Sequence, residues 1–316
     1  MIEIESLLDN DDASISEYSK EEWITYMGTY GAYELPFETP QKLTEILKNI
    51  LSEIYNLEAK LSIPHQSFTI PEDKNGLKDK ILQARSYRLT LQNKEIKFDF
   101  MQDTSKIDEA IDMLLSIEAN KKEKLINKPS IELEKWTNIA LNIINDAINI
   151  KPNAPAGDDN EPTFTAPANM PDIECYYGSF SMICEVTMLR NRDQWFNEGQ
   201  PVMRHLRDFE DKNKNKPNYC LFVAPALHQD TLGTYWNAVK YEYDGFRQKI
   251  IPITIKQLAE ILVVVKELKL LGKNICKENM IDFYNKCVDL HNCKRASEWP
   301  NFISSMFETW KNSLLA

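Results

Sequence analysis

Apolar side chains recur every three or four residues from Leu43 through Ile46, Leu47, Ile50, Leu51 and Ile54 to Tyr55, which predicts a helix with one apolar face. Thr39 is placed to cap it, with Pro40 in the first turn. Pro64 and Pro71 mark Ser62 to Asn75 as a loop, and a second helix is expected over Gly76–Leu91. The alternation from Glu95 to Phe100 predicts a short strand. Ile107, Ile111, Leu114 and Leu115 predict a third helix over 105–126, ending in the basic run K-K-E-K. A fourth helix begins after Pro129-Ser130 and carries Leu133, Trp136, Ile139, Ala140, Ile143, Ile144 and Ile148. Its first turn holds Glu132 and Glu134, where the helix dipole favours acids. Residues 1–38 read as irregular, with Gly28, Gly31 and Pro36 interrupting an aromatic cluster of Trp23, Tyr26, Tyr30, Tyr33 and Phe37. Packing of that cluster against the helix at 40–57 is the better expectation; base stacking is the alternative.

The pattern changes after residue 150. Five prolines and a G-D-D-N turn make 151–171 a long irregular loop, of a length that is usually functional or disordered. Strand-like runs then come at Ile173–Tyr177, Phe180–Leu189, Tyr219–Ala224 and Lys249–Thr254, with a hairpin turn at Gly178-Ser179. Helix-like stretches at Val202–Asn213 and Leu232–Glu242 separate them, and Leu258, Ile261, Leu262, Val265, Leu268 and Leu271 make a stripe in a helical tail from Ile255 to Ala316. This order predicts an α/β fold with a mixed-sheet core. The chain divides into a mostly helical region over 1–128 and an α/β domain with a helical tail over 129–316.

Composition changes this picture little. The 316 residues are 43% hydrophobic and 27% charged, which is ordinary for a globular protein. No apolar run approaches the roughly 18 residues of a membrane span. The acidic start, M-I-E-I-E-S-L-L-D-N-D-D, lacks the basic opening of a secretory signal. Six scattered Cys, three of them (Cys175, Cys184 and Cys220) in expected strands, suit reduced buried thiols of a cytoplasmic protein. The net charge of −11 argues against wrapping nucleic acid by charge alone. A nuclease remains open, because metal ions offset acid and a second subunit or further domain can supply basic surface.

Acids stand at awkward places in the second half. Asp172 sits at a turn after Pro171, Glu185 lies thirteen residues on inside an apolar strand, and Glu198 comes at the same distance just before a helix. Glu185 and Thr187 share one face of their strand, amid Met182, Ile183 and Leu189. An uncompensated charge is costly there. Taken singly, Asp172 and Glu185 read as surface acids of a strand pair. Together they suit Mg2+, which takes one or two carboxylates plus phosphate oxygen and water. Such a site polarises a phosphodiester and makes hydroxide available near neutral pH.

These residues carry a resemblance. P-D at 171–172 and E-V-T at 185–187 resemble the P-D…(D/E)-x-K signature of metal-dependent nucleases. The wider run of Asp172, Ile173, Glu174, then Glu185, Val186, Thr187, Met188, then Glu198, Arg204, His205, Asp208 and Phe209 is similar to type IIS restriction endonucleases of the AlwI kind and the related nicking endonucleases of Bacillus. It covers roughly 130–260, with weaker likeness at W-I-T-Y-M-G (23–28) and E-L-P-F (34–37). The resemblance implies a restriction-endonuclease-like nuclease core acting on double-stranded DNA with Mg2+. It implies Asp172 and Glu185 as metal ligands and Glu198 as the acid completing the metal site. His205, seven residues further, shares that helix face if the helix starts early enough, and would orient water or contact phosphate. Glu134 would point at the metal from the preceding helix, with Glu132 competing for that role. Thr187 stands where the common signature has Lys, so charge would have to come from Arg190, Arg192, His205 or a second metal.

Other constellations carry less. C-x10-C-x3-H-x-C over Cys276, Cys287, His291 and Cys293 lacks the tight pairs of a zinc site, and core thiols on helices are expected. His228 and Asp230 read as a solvated loop. No G-x-x-x-x-G-K-[ST] loop occurs, and nine Gly in all argue against a nucleotide-driven motor. The expected activity is hydrolysis of one DNA strand per active site, with a second copy or a different DNA-recognition subunit as partner. The alternative is a nuclease-like interaction subunit that docks on a recognition partner without cutting.

Overall fold

The computed structural model describes residues 39–144, 147–155, 162–167 and 169–316, without the side chains of 100–102. The aromatic cluster at 23–37 and both N-terminal stretches of the resemblance lie outside the described residues. Two compact units are present: Met1–Glu95 with Ala156–Thr163, and Ile96–Pro155 with Phe164–Ala316.

In the first unit, helix α1 (Pro40–Leu61) begins where the capping residue places it, with Lys42 N donating to Thr39 Oγ1 at 3.2 Å. Its buried stripe of Leu43, Leu47, Ile50 and Ile54 packs with Leu77, Ile81, Ala84 and Leu91 of helix α2 (Lys74–Gln102). α2 continues straight through the expected strand at 95–100, and the division between the units falls within it. No Gly or Pro interrupts 77–102, and a lone strand would leave its backbone groups unpaired where a helix satisfies them internally.

The second unit contains a five-stranded sheet in the order β1 (Asn149–Pro152), β2 (Ile173–Tyr176), β3 (Ser181–Val186), β4 (Asn218–Ala224), β5 (Ile250–Thr254). β1–β2 and β2–β3 are antiparallel, whereas β3–β4 and β4–β5 are parallel. The sheet is therefore mixed, as the element order predicts. β1 is an addition to the four expected strands; its Pro152 is tolerable because the strand lies at the edge of the sheet. Every residue of β4 is buried, and β3 is buried up to Glu185, so both faces of the sheet centre are covered. Their nearly unbroken apolar sequences reflect that.

Helices α3 (Ser105–Glu118), α4 (Pro129–Ile144) and α7 (Ile255–Leu270) pack together, as do α5 (Asn191–Lys212) and α6 (Gln229–Lys240). α8 (Lys277–Val288) and α9 (Trp299–Leu315) pack on each other and against β5. α3 stops earlier than its apolar pattern suggests, because Asn120 turns left-handed at φ 53° and a 3-10 turn over Lys122–Lys124 takes the basic run. α5 begins eleven residues before Val202. Gly199 and Pro201 read as breakers, yet both sit inside it; a Cβ on Gly199 would stand 3.3 Å from Trp195 Cδ1. An added side chain there would require the Trp195 ring to give by a few tenths of an ångström. No helix among the described residues is long and apolar enough to cross a membrane.

Candidate active site

The acids meet at the carboxyl end of β3, where ligands bind in open sheets with parallel strands. Asp172 immediately precedes Ile173, which pairs with Cys184, so the hairpin register brings Asp172 beside Glu185. Asp172 Oδ2 accepts from the N–H of Val186 at 2.7 Å, and its carbonyl accepts from Asn153 N at 2.9 Å. β2, β3 and the residue after β1 together fix this acid.

Glu185 and Thr187 leave β3 toward α5. His205 Nδ1 lies 2.9 Å from Glu185 Oε1, and the Thr187 hydroxyl is near enough to Glu198 to favour its anion. The early start of α5 is what puts Glu198 and His205 on one face of one helix, nearly two turns apart. Thr187 is held in turn by its N–H on Val223 O (3.0 Å) and by Leu189 N on its Oγ1 (3.1 Å).

Glu134 reaches the same acids from α4. It is buried, and Ala166 N donates to its Oε2 at 3.1 Å. Glu132 does not compete with it. The Glu132 carboxylate accepts from Asn127 N (2.9 Å), Asn127 Nδ2 (3.1 Å) and Trp136 Nε1 (3.1 Å), so it fastens the start of α4.

Electrostatics bind these groups into one set. Burial, then the Asp172 charge, pushes Glu134 up to about 9 against the Ala166 N–H. Burial and the Glu185 charge raise Asp172 well above the usual carboxylate range, against the Val186 N–H. Burial, Glu198 and Glu134 do the same to Glu185. Burial raises Glu198, opposed by Thr187 and His205. Burial and Arg204 hold His205 below its ordinary value, opposed by Asp208 and Glu198. His205 Nε2 is buried and has no hydrogen-bond partner among the described residues.

The charges considered as replacements for a signature Lys are mostly engaged elsewhere. Arg190 donates to Glu118 O at 2.9 Å on the wall of an open cleft that it lines with Asn120, Ser130 and Met188. Arg192 lies over the Trp195 ring at 6.0 Å. Only His205, of those three, touches an acid of the set. Elsewhere, Cys287 and Cys293 are buried in the core, whereas His291 is exposed. His228 caps α6, with Asp230 N 3.4 Å from its Nδ1.

The family model of the AlwI restriction endonuclease matches residues 1–261. The chain belongs to this family. Among solved structures, it is similar to the small subunit of the heterodimeric restriction endonuclease R.BspD6I, at 19% identity and a TM-score of 0.52. That match covers 64% of this chain and 98% of the subunit, and it supports the restriction-endonuclease fold of the sheet and its helices. No curated protein matches.

In this member of the AlwI family, two contributors are invisible in the acid motif. Tyr235 Oη on α6 donates to the backbone carbonyl of Glu198 at 3.0 Å. Gln194, wholly buried at the start of α5, bonds three backbone groups around the ends of β3 and β4. A buried polar residue one helical turn before Glu198 was the available signal.

Proposed function

We propose that the chain is a Mg2+-dependent DNA endonuclease of a restriction system, cutting one strand per active site. The observation that carries this reading is the gathering of Glu134, Asp172, Glu185 and Glu198 at the end of β3, where burial raises all four carboxyls and neighbouring acids add to the rise at Glu134, Asp172 and Glu185. Such a set is costly unless a cation offsets it.

The residues fit Mg2+ by their chemistry. Among the described residues no three ligating side chains are already drawn to metal-binding separation. Mg2+ asks for less, since one or two carboxylates with water and phosphate complete its shell. Asp172 and Glu185 would hold it, with Glu198 completing the acidic site and Glu134 facing it from α4. The ion supplies polarisation of the phosphodiester and a lowered pKa for water. Thr187 carries no charge; its hydroxyl favours the Glu198 anion. His205, oriented through Nδ1 by Glu185, would use Nε2 to orient water or contact phosphate.

One acid set handles one phosphodiester at a time. Double-strand cleavage therefore needs a second copy or a different DNA-recognition subunit. The net charge of −11 supports a partner that supplies basic surface.

The test is plasmid cleavage by the wild-type chain and by Glu185→Ala, in chelator and in Mg2+. Cleavage should need Mg2+ and vanish in Glu185→Ala, while circular dichroism shows the fold retained. A wild-type chain that binds a recognition partner yet never cuts would favour a docking subunit instead; undiminished cutting by Glu185→Ala would remove the site.

A further inference from the structure

We infer that Gln194 is a positioning residue for the acid site, setting where α5 presents Glu198 and His205 to the end of β3. The inference rests on the proposed metal-dependent site. Gln194 is wholly buried in the first turn of α5. Its Nε2 donates to Leu189 O at 3.0 Å and to Ala226 O at 2.7 Å, and its Oε1 accepts from His228 N at 2.9 Å. Leu189 lies just past β3, Ala226 just past β4, and His228 is the cap of α6. One amide thus ties together the exits of two parallel strands and the entry of a second helix. Both donors and an acceptor are used, which no other neutral side chain of this length supplies.

The placement matters because two residues of the acid site lie further along α5. Glu198 is four residues on, one turn along the same face, and His205 is three turns on. Glu185 of β3 meets His205 of this helix at 2.9 Å, and the Thr187 hydroxyl just past β3 favours the Glu198 anion. Each needs α5 at one height and one rotation relative to β3. Two further bonds tie this end of α5 to α6, the Tyr235 hydroxyl on the Glu198 carbonyl at 3.0 Å and Trp195 Nε1 on Thr234 Oγ1 at 3.1 Å, but neither reaches the exits of β3 and β4. Without the Gln194 amide, Leu189 O, Ala226 O and His228 N lose a shared partner, and the helix start loses its tie to the exits of β3 and β4. Supporting partners of metal-site residues typically change affinity or activity by roughly 10–100-fold when removed.

The test compares Gln194→Met, which keeps side-chain length, with Asn218→Ala. Asn218 is a similar buried amide at the opposite end of β4, donating to Asn213 O and Lys216 O, each at 3.0 Å. Both variants are expected to lower the melting temperature. Titrating Mg2+ against that temperature reads metal affinity without cleavage. Gln194→Met should need about 10-fold more Mg2+ than wild type for half the stabilisation, and Asn218→Ala should match wild type within about 2-fold. On plasmid, Gln194→Met should lose kcat with KM unchanged. Equal Mg2+ responses in all three proteins would overturn the inference alone. A wild type whose Mg2+ response is absent, or the same as that of Glu185→Gln, would overturn the metal site and the inference with it. If Gln194→Met does not fold, Gln194→Glu repeats the comparison; failure of both to fold would assign Gln194 to the fold and reject the positioning role.

Discussion

Glu134→Gln should make the metal-free protein more stable at alkaline pH while impairing its metal site. Glu134 ionises at about 9 in the folded chain, against 4.5 for its ordinary carboxyl, because burial and the Asp172 charge disfavour the anion. Between those values the folded state keeps a proton that the unfolded state has released. Stability contributed by that proton is fully present below pH 4.5 and is lost as pH rises toward about 9. The slope is about −1.4 kcal/mol per pH unit for one such proton, or about 2.7 kcal/mol between pH 6 and 8 as a ceiling. Neighbouring acids share the repulsion, so roughly 1–2 kcal/mol of the difference belongs to Glu134 itself. Gln carries no titrating proton, and its carbonyl can still accept from Ala166 N. Urea unfolding in chelator at pH 6, 7 and 8 measures this. The variant should show a shallower fall and exceed wild type at pH 8, and added Mg2+ should stabilise it less than wild type. A variant with the wild-type slope, or one less stable than wild type at pH 8, would show that Glu134 is not held protonated against the other acids.

Glu132→Ala is expected to behave in the opposite way, losing about 2–4 kcal/mol of stability through the three hydrogen bonds of its buried carboxylate. The folded fraction should cleave at the wild-type rate, and a loss of cleavage without loss of stability would reverse the assignment of the two acids. His205→Asn should lower kcat for plasmid cleavage by about 10²-fold or more with little change in melting temperature; an unchanged kcat would release His205 from the chemistry. Diluting the enzyme should raise the ratio of nicked to linear plasmid, since the second strand needs a second site. A constant ratio from a verified monomer would refute one cut per site.

The short-range part of the site was legible in the chain. Asp172 and Glu185 meet through a hairpin, whose register comes from alternation and a tight turn, and Glu198 and His205 are joined by helical period. The part that was not legible depends on partners that no motif marks. Glu132 and Glu134 sit two apart in one first turn, and only Asn127, Trp136 and Ala166 decide between them. The start of α5 was hidden because Gly199 and Pro201 look like breakers until Trp195 is seen packed over the glycine. Residues 95–100 alternate like a strand, but a strand requires a neighbour and a helix does not. β1 was obscured by Pro152 in a segment otherwise read as loop. Gln194 carries no motif; its meaning lies in three carbonyl and amide groups between 5 and 34 residues away.

The Gln194 amide also dates the site within synthesis. A growing chain that has emerged as far as α5 already holds Glu134, Asp172, Glu185, Glu198 and His205. It does not yet hold Ala226, His228 or Tyr235, which fasten α5 from β4 and α6. Those parallel neighbours come from a crossover and close late, as long-range pairings do. The acids of the proposed site are thus translated well before the framework that fastens α5, so a ribosome-bound fragment carries the whole motif before Glu198 and His205 are held in place. For a chain of a DNA-cutting family, the order of the strands acts as a delay.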